Sequence, residues 1–400
     1  MNTPYRKLPA RTVAVLLASA LALSVAPGQV AVAEPLPQVP AGLPAELPAA
    51  SSAFAKRLEG KYIDPDRVYS TDVRWWLGEA SNTDESLLEE IQALYDAGFR
   101  GVELCMQADN AAPDADYAYG SAMWTHKWNL MMNKLLDLGM AVYLTSGTNW
   151  STSNVPGLDP TSQAAMQNLT MGSGTVAAGE SVSVLPAPDP AKDQRAGAKF
   201  VTAYAYRIVQ GDTIDPDSYV NLGKITQGTD VWTQNVNWTA PDDGTYRIFG
   251  FWTQGTWQAS SPSAETSYAT NYFDERGVAA LKTFWEDHYL KDPALVAKMK
   301  KGDVQLFMDS LEISAGGGVQ FTGSVLNSPQ FTWWAEDIAA QFKARKGYDI
   351  MPYMFLIRGV KSNVYNPYDS VATTGLYRIQ GQEDRRQEII NDWQDVLTEL

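Results

Sequence analysis

The sequence predicts an α/β fold built from parallel strands and helices, with a (β/α) barrel of the TIM type as the favoured architecture. Two observations support this prediction. Short strands alternate with amphipathic helices, as in βαβ units. The strands are also apolar along nearly their whole length, which is typical of parallel strands that are buried on both faces. A doubly wound parallel sheet is the alternative.

The strand and helix pattern predicts four βα units. The predicted strands cover residues 73–77, 101–105, 140–145 and 304–308, and the predicted helices cover 83–97, 123–138, 275–290, 331–346 and 383–400. Asn82 or Thr83 caps the first helix, and Gly98, Gly139 and Gly347 follow three of the helices. A closed barrel needs eight units. We therefore expect an incomplete barrel whose edge strand and last helix expose apolar surface.

The middle of the chain has a different pattern. Between residues 161 and 258, Gly, Ser and Thr become common, and segments 201–208 and 245–252 alternate with the period of half-buried strands. Asp242-Asp243-Gly244 predicts a turn before the second of these segments. We interpret 161–258 as an all-β domain inserted between two parts of the barrel, 54–160 and 259–400.

The first 33 residues have the pattern of a secretion signal. Arg6, Lys7 and Arg11 precede an apolar stretch at 12–26, and Ala31-Val32-Ala33 forms a small-residue cleavage site. The apolar stretch is shorter than the roughly 20 residues of a membrane helix. Residues 34–53 are rich in proline and alanine and predict an extended linker. We expect a secreted protein without a membrane span, cleaved near Ala33.

Composition excludes several classes of function. The formal charge is −15, and loss of the signal removes three cations and no anions, so a nucleic-acid partner is not expected. Cys105 is the only cysteine, which excludes a disulfide within the chain. His126 and His288 are the only histidines, which argues against three-histidine zinc sites and histidine-activated serine. Carboxylates are therefore the main candidates for acid and base chemistry.

Three carboxylates are candidates for that chemistry. Asp309 and Glu312 directly follow the predicted strand 304–308, where βα enzymes carry their catalytic residues, and the glycines at 316–318 allow a turn. The alternative is that Asp309 caps a turn and Glu312 is a solvated loop acid. Glu103 lies within the apolar strand 101–105, where an acid is costly unless it is paired or functional.

Aromatic and polar side chains at the predicted strand ends are candidates for substrate binding. Broad aromatic faces suit the apolar faces of sugar rings, while polar groups bind the hydroxyls. Since neighbouring residues of a strand point to opposite faces, one of the two adjacent tryptophans of the first strand could be a core residue. The candidates are Arg74, Trp75, Trp76, Glu79, Asn149, Trp150 and Trp333, the last expected at the start of the helix 331–346.

Six segments in this order resemble the glycoside hydrolase family 106 α-L-rhamnosidases and their relatives. They are RWWLGE, GFRGVEL, LTSGTNW, FMDSLE, WWAEDIAAQFKARKGYDIMPY and RRQEIINDW. The resemblance implies a barrel catalytic domain, an inverting exo-hydrolysis of terminal rhamnose from a polysaccharide, and often a calcium ion near the sugar. It favours Glu312 and Glu103 as site carboxylates, with Asp309 beside them.

The chain departs from the family pattern in the loops that line the sugar pocket. The third strand runs on as Gly147-Thr148-Asn149-Trp150-Ser151, where the family has GSGWP, and a glycine run follows Glu312. Specificity for rhamnose is therefore a weaker expectation than hydrolase chemistry. Either carboxylate could be the acid or the base. The alternatives are a glycosidase of other specificity, a polysaccharide lyase, or a secreted carbohydrate-binding protein without catalysis.

Overall fold

The computed structural model describes residues 60–61, 65–78, 82–107, 119–147, 153–188, 194–258, 267–307, 332–357 and 377–400. The chain divides into two compact units, Met1–Asp64 and Pro65–Leu400, and the elements named below belong to the second. The strands are β1 (Val73–Gly78), β2 (Gly101–Gln107), β3 (Ala141–Leu144), β4 (Asn154–Pro156), β5 (Gln167–Val176), β6 (Ser181–Val184), β7 (Lys199–Gln210), β8 (Thr213–Ile214), β9 (Val220–Asn221), β10 (Thr226–Gln227), β11 (Gln234–Thr239), β12 (Tyr246–Gly255), β13 (Ser267–Ala269), β14 (Val304–Leu306), β15 (Thr332–Trp334) and β16 (Arg378–Ile379). The α-helices are α1 (Asp84–Asp96), α2 (Ala122–Asp137), α3 (Glu275–His288), α4 (Pro293–Lys301), α5 (Ile338–Lys346), α6 (Met354–Ile357) and α7 (Glu383–Glu399).

The four strands predicted to be parallel lie side by side in one curled, half-barrel sheet, in the order β1-β2-β3-β14. Each neighbouring pair is parallel. One face of this sheet packs against helices through a core that includes Val102, Leu104, Val142, Ile91 and Met131. The α/β class and the parallel pairing of these strands are confirmed, whereas a TIM-type barrel, expected to be incomplete in this chain, stays a prediction.

Local signals explain the helices that flank this sheet. Thr83 caps α1 by accepting a hydrogen bond from the Ser86 backbone N–H, while the Thr83 backbone N–H donates to the Ser86 hydroxyl. Gly98 and Gly139, and Gly347 after α5 elsewhere in the chain, adopt the positive φ that ends a helix at little steric cost. Helix α4 was not predicted from the sequence, although Asp292 caps it and Pro293 occupies its first turn, which are both recognised start signals.

The predicted β-rich segment forms two packed sheets. The larger sheet has the order β15-β5-β12-β7-β8-β16, with β9 also paired to β7, and the smaller sheet has the order β10-β11-β6. Trp238, Trp252 and Ile248 belong to the core between them. Because β15 and β16 lie outside 161–258, the larger sheet is not confined to the predicted insertion. A separate inserted domain stays a prediction.

The prediction of one long helix at 331–346 was wrong for its first part. Residues Thr332–Trp334 form β15, which pairs antiparallel with β5, and helix α5 begins only at Ile338. The Thr332 backbone N–H donates to the Asn168 side-chain oxygen at 3.0 Å. The strand is therefore formed by partners more than 160 residues away, which a local pattern does not reveal.

Helices α5, α6 and α7 cover the other face of the larger sheet. Their core joins Phe249 and Phe251 of β12 to Phe342 of α5, Phe355 of α6 and Trp393 of α7. The expectation that the last helix exposes its apolar face was therefore wrong. At the edge of the parallel sheet, by contrast, Leu306 of β14 is exposed, as expected for an edge strand.

Hydrogen bonds and ion pairs among charged and polar side chains link the amino ends of the four parallel strands in a charged cluster. Arg100, before β2, donates to both carboxylate oxygens of Asp72, before β1, and lies 3.5 Å from the Asp303 carboxylate before β14. Tyr143 of β3 donates its hydroxyl to Asp72 at 3.0 Å and accepts from Arg100. The hydrogen bond to Asp72 raises the pKa of Arg100, so the cation is retained at any ordinary pH.

Replacing Arg100 by methionine is expected to lower the free energy of unfolding by about 1–3 kcal/mol, because Asp72 and Tyr143 lose a charged hydrogen-bond partner. Denaturant unfolding of the two proteins measures this difference. Lys300→Met on the exposed side of α4 is the control and should change stability by less than about 0.5 kcal/mol. Equal stability of the Arg100 and Lys300 variants would contradict a stabilising role for the cluster.

Candidate active site

Glu103 lies on the concave face of the parallel sheet. Its neighbours Val102 and Leu104 point into the core beneath the helices, so strand alternation directs Glu103 to the opposite face. In the strand register Glu103 lies beside Arg74 of β1 on one side and beside Tyr143 of β3 on the other. A buried carboxylate therefore stands in a row of polar side chains across the sheet.

Arg74 forms an ion pair with Glu103. Its Nε donates to Glu103 Oε2 at 2.7 Å, and the two side chains are 41% and 10% exposed. Glu103 Oε1 is buried and has no hydrogen-bond partner among the described residues. Among the described residues, one carboxylate oxygen is thus held by a cation and the other accepts no hydrogen bond, an arrangement that suits acceptance of a proton or hydrogen bond from a hydroxyl or a water.

Two aromatic rings lie close to the Arg74 guanidinium. The guanidinium carbon lies 5.6 Å from the centre of the Trp76 ring and 5.2 Å from the centre of the Phe307 ring. Both distances fall in the range of cation–π contacts. Trp76 is 48% exposed, so its ring is accessible to a ligand on the concave face. Arg74, Glu103, Trp76 and Phe307 form the described part of the candidate site.

Trp75 lies on the other face of the sheet. It packs against the core beneath the helices, and its indole N–H donates to the Glu90 carboxylate of α1 at 3.0 Å. Of the two adjacent tryptophans of β1, only Trp76 therefore shares the concave face with Glu103.

Trp333 lies in β15 and stacks on Phe273 with ring centres 5.6 Å apart. Its indole N–H is buried and has no acceptor among the described residues. The neighbouring Tyr272 accepts a hydrogen bond from the Ser153 backbone, and the hydroxyl of Ser153 bonds to that of Ser146, just after β3. These contacts connect the region of Trp333 to the carboxyl end of a parallel strand, which is where βα enzymes bind their substrates.

Five of the residues expected at the site lie outside the described residues: Glu79, Asn149, Trp150, Asp309 and Glu312. Each belongs to a segment that follows a strand of the parallel sheet. Their place at the site stays a prediction.

Two residues next to the Arg74–Glu103 pair were not predicted from the sequence. Phe307 lies one residue past β14, and strand alternation counted from Val304 would have placed it on the face opposite the core. Tyr143 is the register neighbour of Glu103, but its hydroxyl reaches the charged cluster at the amino ends of the strands. Burial, together with the hydrogen bond to Asp72, raises the pKa of that hydroxyl, so it stays protonated.

Neither histidine takes part in the described site. His126 bonds to Asp84 near the start of α1, and His288 lies 3.1 Å from the Thr125 hydroxyl. Among the described residues no group of three or more His, Cys, Asp or Glu side chains could hold a metal ion. No helix in the described part of the chain is long and apolar enough to cross a membrane.

Comparison with known proteins adds information on the fold. No protein-family model matches the sequence, and no curated protein matches it. A rhamnosidase from Novosphingobium sp. PP1Y is similar in structure, with a TM-score of 0.58 and 14% sequence identity. The similarity covers 85% of this chain and 45% of that rhamnosidase, so the chain spans less than half of that enzyme's length. This chain thus has a fold similar to part of a rhamnosidase.

Proposed function

We propose that this protein is a secreted glycoside hydrolase that removes terminal sugars, α-L-rhamnose first among them, from a polysaccharide or oligosaccharide. The observation that carries the proposal is the buried carboxylate of Glu103, held at one oxygen by Arg74 and unpaired at the other within the described residues. The structural similarity to a rhamnosidase supports the choice of sugar. In this proposal the half-barrel sheet belongs to a (β/α) barrel, and the protein has no nucleic-acid partner.

The proposed reaction is an inverting hydrolysis with two carboxyl groups, Glu103 and Glu312. One carboxylic acid gives its proton to the leaving oxygen, and the other carboxylate takes a proton from the attacking water on the opposite side of the sugar ring. The water requires the two groups to stand roughly 6.5 to 9.5 Å apart. Asp309 and the aromatic residues would bind the sugar, with Trp76 offering its exposed ring.

Arg74 has a positioning role in this scheme. Its guanidinium fixes Glu103 Oε2 and packs between the Trp76 and Phe307 rings, so the orientation of the carboxylate is determined before the substrate binds. Such preorganisation lowers the cost of reaching a reactive geometry.

Calcium, which the sequence resemblance implies, has no cluster of acidic ligands among the described residues. We therefore derive no step of the reaction through a metal ion.

The first experiment is a screen of the whole protein against aryl glycosides that include α-L-rhamnoside. We expect release of the aryl group from α-L-rhamnoside, and NMR during early turnover should show the β-anomer of rhamnose as the first product because the reaction inverts. A polysaccharide lyase would instead leave the aryl rhamnoside intact and form an unsaturated product, seen by its ultraviolet absorbance, from a polysaccharide that contains uronic acid. Binding of rhamnosides without turnover would identify a non-catalytic carbohydrate-binding protein and would refute the hydrolase proposal.

The roles of the two carboxyl groups can be separated with substrates of different leaving-group acidity. A variant without the general acid keeps turnover of a dinitrophenyl glycoside, because that leaving group departs without a proton. A variant without the general base loses turnover of good and poor leaving groups alike. Comparing Glu103→Gln with Glu312→Gln on both substrates therefore assigns the acid and the base.

A further inference from the structure

Trp257, just after β12, has an unusual backbone conformation. Its φ is +56°, and it is the only residue other than glycine with a positive φ in the part of the chain that the structure describes. A bulky side chain is disfavoured in this left-handed region by contact between Cβ and the backbone. Such strain persists where surrounding contacts impose it, and it is concentrated at functional sites.

Contacts on both sides hold Trp257 in this conformation. The Thr256 backbone N–H donates to the Met166 carbonyl at 2.8 Å, and the Ala269 backbone N–H donates to the Gln258 carbonyl at 2.9 Å. The Arg195 guanidinium donates to the Thr256 carbonyl. The backbone before and after Trp257 is thus hydrogen-bonded to three different segments, and these hydrogen bonds impose the positive φ.

The Trp257 indole makes only part of the contacts that its ring and its N–H could make. Its ring meets Tyr268 edge to face at 6.0 Å and is partly exposed. Its N–H is buried and has no acceptor among the described residues. A buried indole N–H normally has a hydrogen-bond partner. A ligand with a hydroxyl or ether oxygen could supply the acceptor and lie against the exposed part of the ring.

A series of contacts connects Trp257 to the carboxyl end of the parallel sheet. Trp257 packs on Tyr268 of β13, which pairs with Val155 of β4. Ser153, directly before β4, bonds through its hydroxyl to that of Ser146, two residues after β3. The ring therefore lies against the β4–β13 strand pair, which is linked through Ser153 to the segment that follows β3.

We propose that Trp257 forms a second sugar-binding position, which takes a pyranose of the glycan chain beyond the terminal residue. The substrate class rests on the proposed function. Thr256 and Gln258, on either side of Trp257 in sequence, are buried and uncharged, which suits a neutral rather than a charged sugar. The indole stacks on the sugar ring and donates its N–H to a sugar oxygen.

The test compares a one-sugar probe with a three-sugar probe. The probes are p-nitrophenyl α-L-rhamnoside and a linear α-linked rhamnose trisaccharide. Trp257→Ala should raise KM for the trisaccharide about tenfold, with kcat little changed, because an aromatic contact is lost from binding alone. Both constants for the aryl rhamnoside should stay as in the native protein. Tyr69→Ala removes an exposed aromatic far from this position in sequence and serves as the control.

Affinity for the trisaccharide is measured by calorimetry in two proteins, the Glu103→Gln variant and the Glu103→Gln/Trp257→Ala double variant. This comparison tests the sugar position separately from the proposed function. A tenfold weaker affinity on loss of Trp257, in a protein that hydrolyses no glycoside, would support the sugar position and refute the hydrolase. Unchanged affinity would overturn the sugar position whether or not the protein is a hydrolase, and so would no binding of the trisaccharide at all.

A glycine variant measures the cost of the positive φ at this position. Trp257→Gly removes the same ring and adopts a positive φ freely, so it should melt at a higher temperature than Trp257→Ala while binding the trisaccharide equally weakly. If the glycine variant recovers native affinity, the indole does not bind the sugar and the proposal is overturned.

Discussion

Replacing Glu103 by glutamine is expected to reduce hydrolysis of a rhamnose disaccharide, whose leaving group must be protonated, by about 10²-fold or more, because glutamine cannot exchange the proton that an acid or base must transfer. The amide has nearly the size and shape of the carboxyl group. Affinity for L-rhamnose, measured by calorimetry, should therefore stay close to that of the native protein. Loss of kcat with retained binding distinguishes a catalytic role from a role in substrate binding.

The control for this variant is Glu89→Gln, which removes a carboxylate from the exposed side of α1. Glu336, which lies within the helix predicted at 331–346, is unsuitable as a control because it precedes α5 and pairs with Arg276 at 2.7 Å and Lys199 at 3.6 Å. Turnover of Glu103→Gln within a factor of about three of the native rate would refute the catalytic assignment. Circular dichroism of both variants establishes that they are folded.

Replacing Trp393 by alanine is expected to lower the free energy of unfolding by about 3–5 kcal/mol, because a large buried ring is lost and a cavity remains. Trp393 is 5% exposed. Its ring lies 6.0 Å from Trp334 of β15 and 6.3 Å from Phe342 of α5, measured between ring centres. The side chain thus connects the last helix to both the β-sheet and the preceding helix.

Denaturant unfolding measures this loss, with Gln394→Ala as the control on the exposed face of the same helix. The control should stay within about 0.5 kcal/mol of the native protein. A Trp393→Ala variant less than about 1 kcal/mol from native stability would mean that α7 does not contribute its apolar face to the core around Phe249 and Phe251.

The candidate site could be predicted from the sequence only in part. Glu103 was identified because an acid is unexpected in an apolar strand, and Arg74 because it is a polar residue beside tryptophans at the end of a predicted strand. Their ion pair could not be predicted, since it depends on the register that places Arg74 opposite Glu103 in the neighbouring strand. Phe307 was missed because its role depends on the position of the Arg74 side chain.

The sequence by itself determined the elements whose signals are local. The apolar runs, the caps at Thr83 and Ser121 and the glycines with positive φ define the parallel strands and the helices between them. These signals act within a few residues. Their effect is therefore visible without knowledge of the rest of the chain.

Only the tertiary structure decided which face of the sheet each side chain occupies and whether residues 332–334 form a strand or a helix. Trp75 and Trp76 differ by one position, yet one packs beneath the helices and the other is exposed beside Arg74. Trp333 and Trp334 separate in the same way, with Trp334 stacked on Trp393. Residues 332–334 form a strand because the edge of β5 supplies backbone partners, and that hydrogen bonding outweighs the weak local preference for a helix.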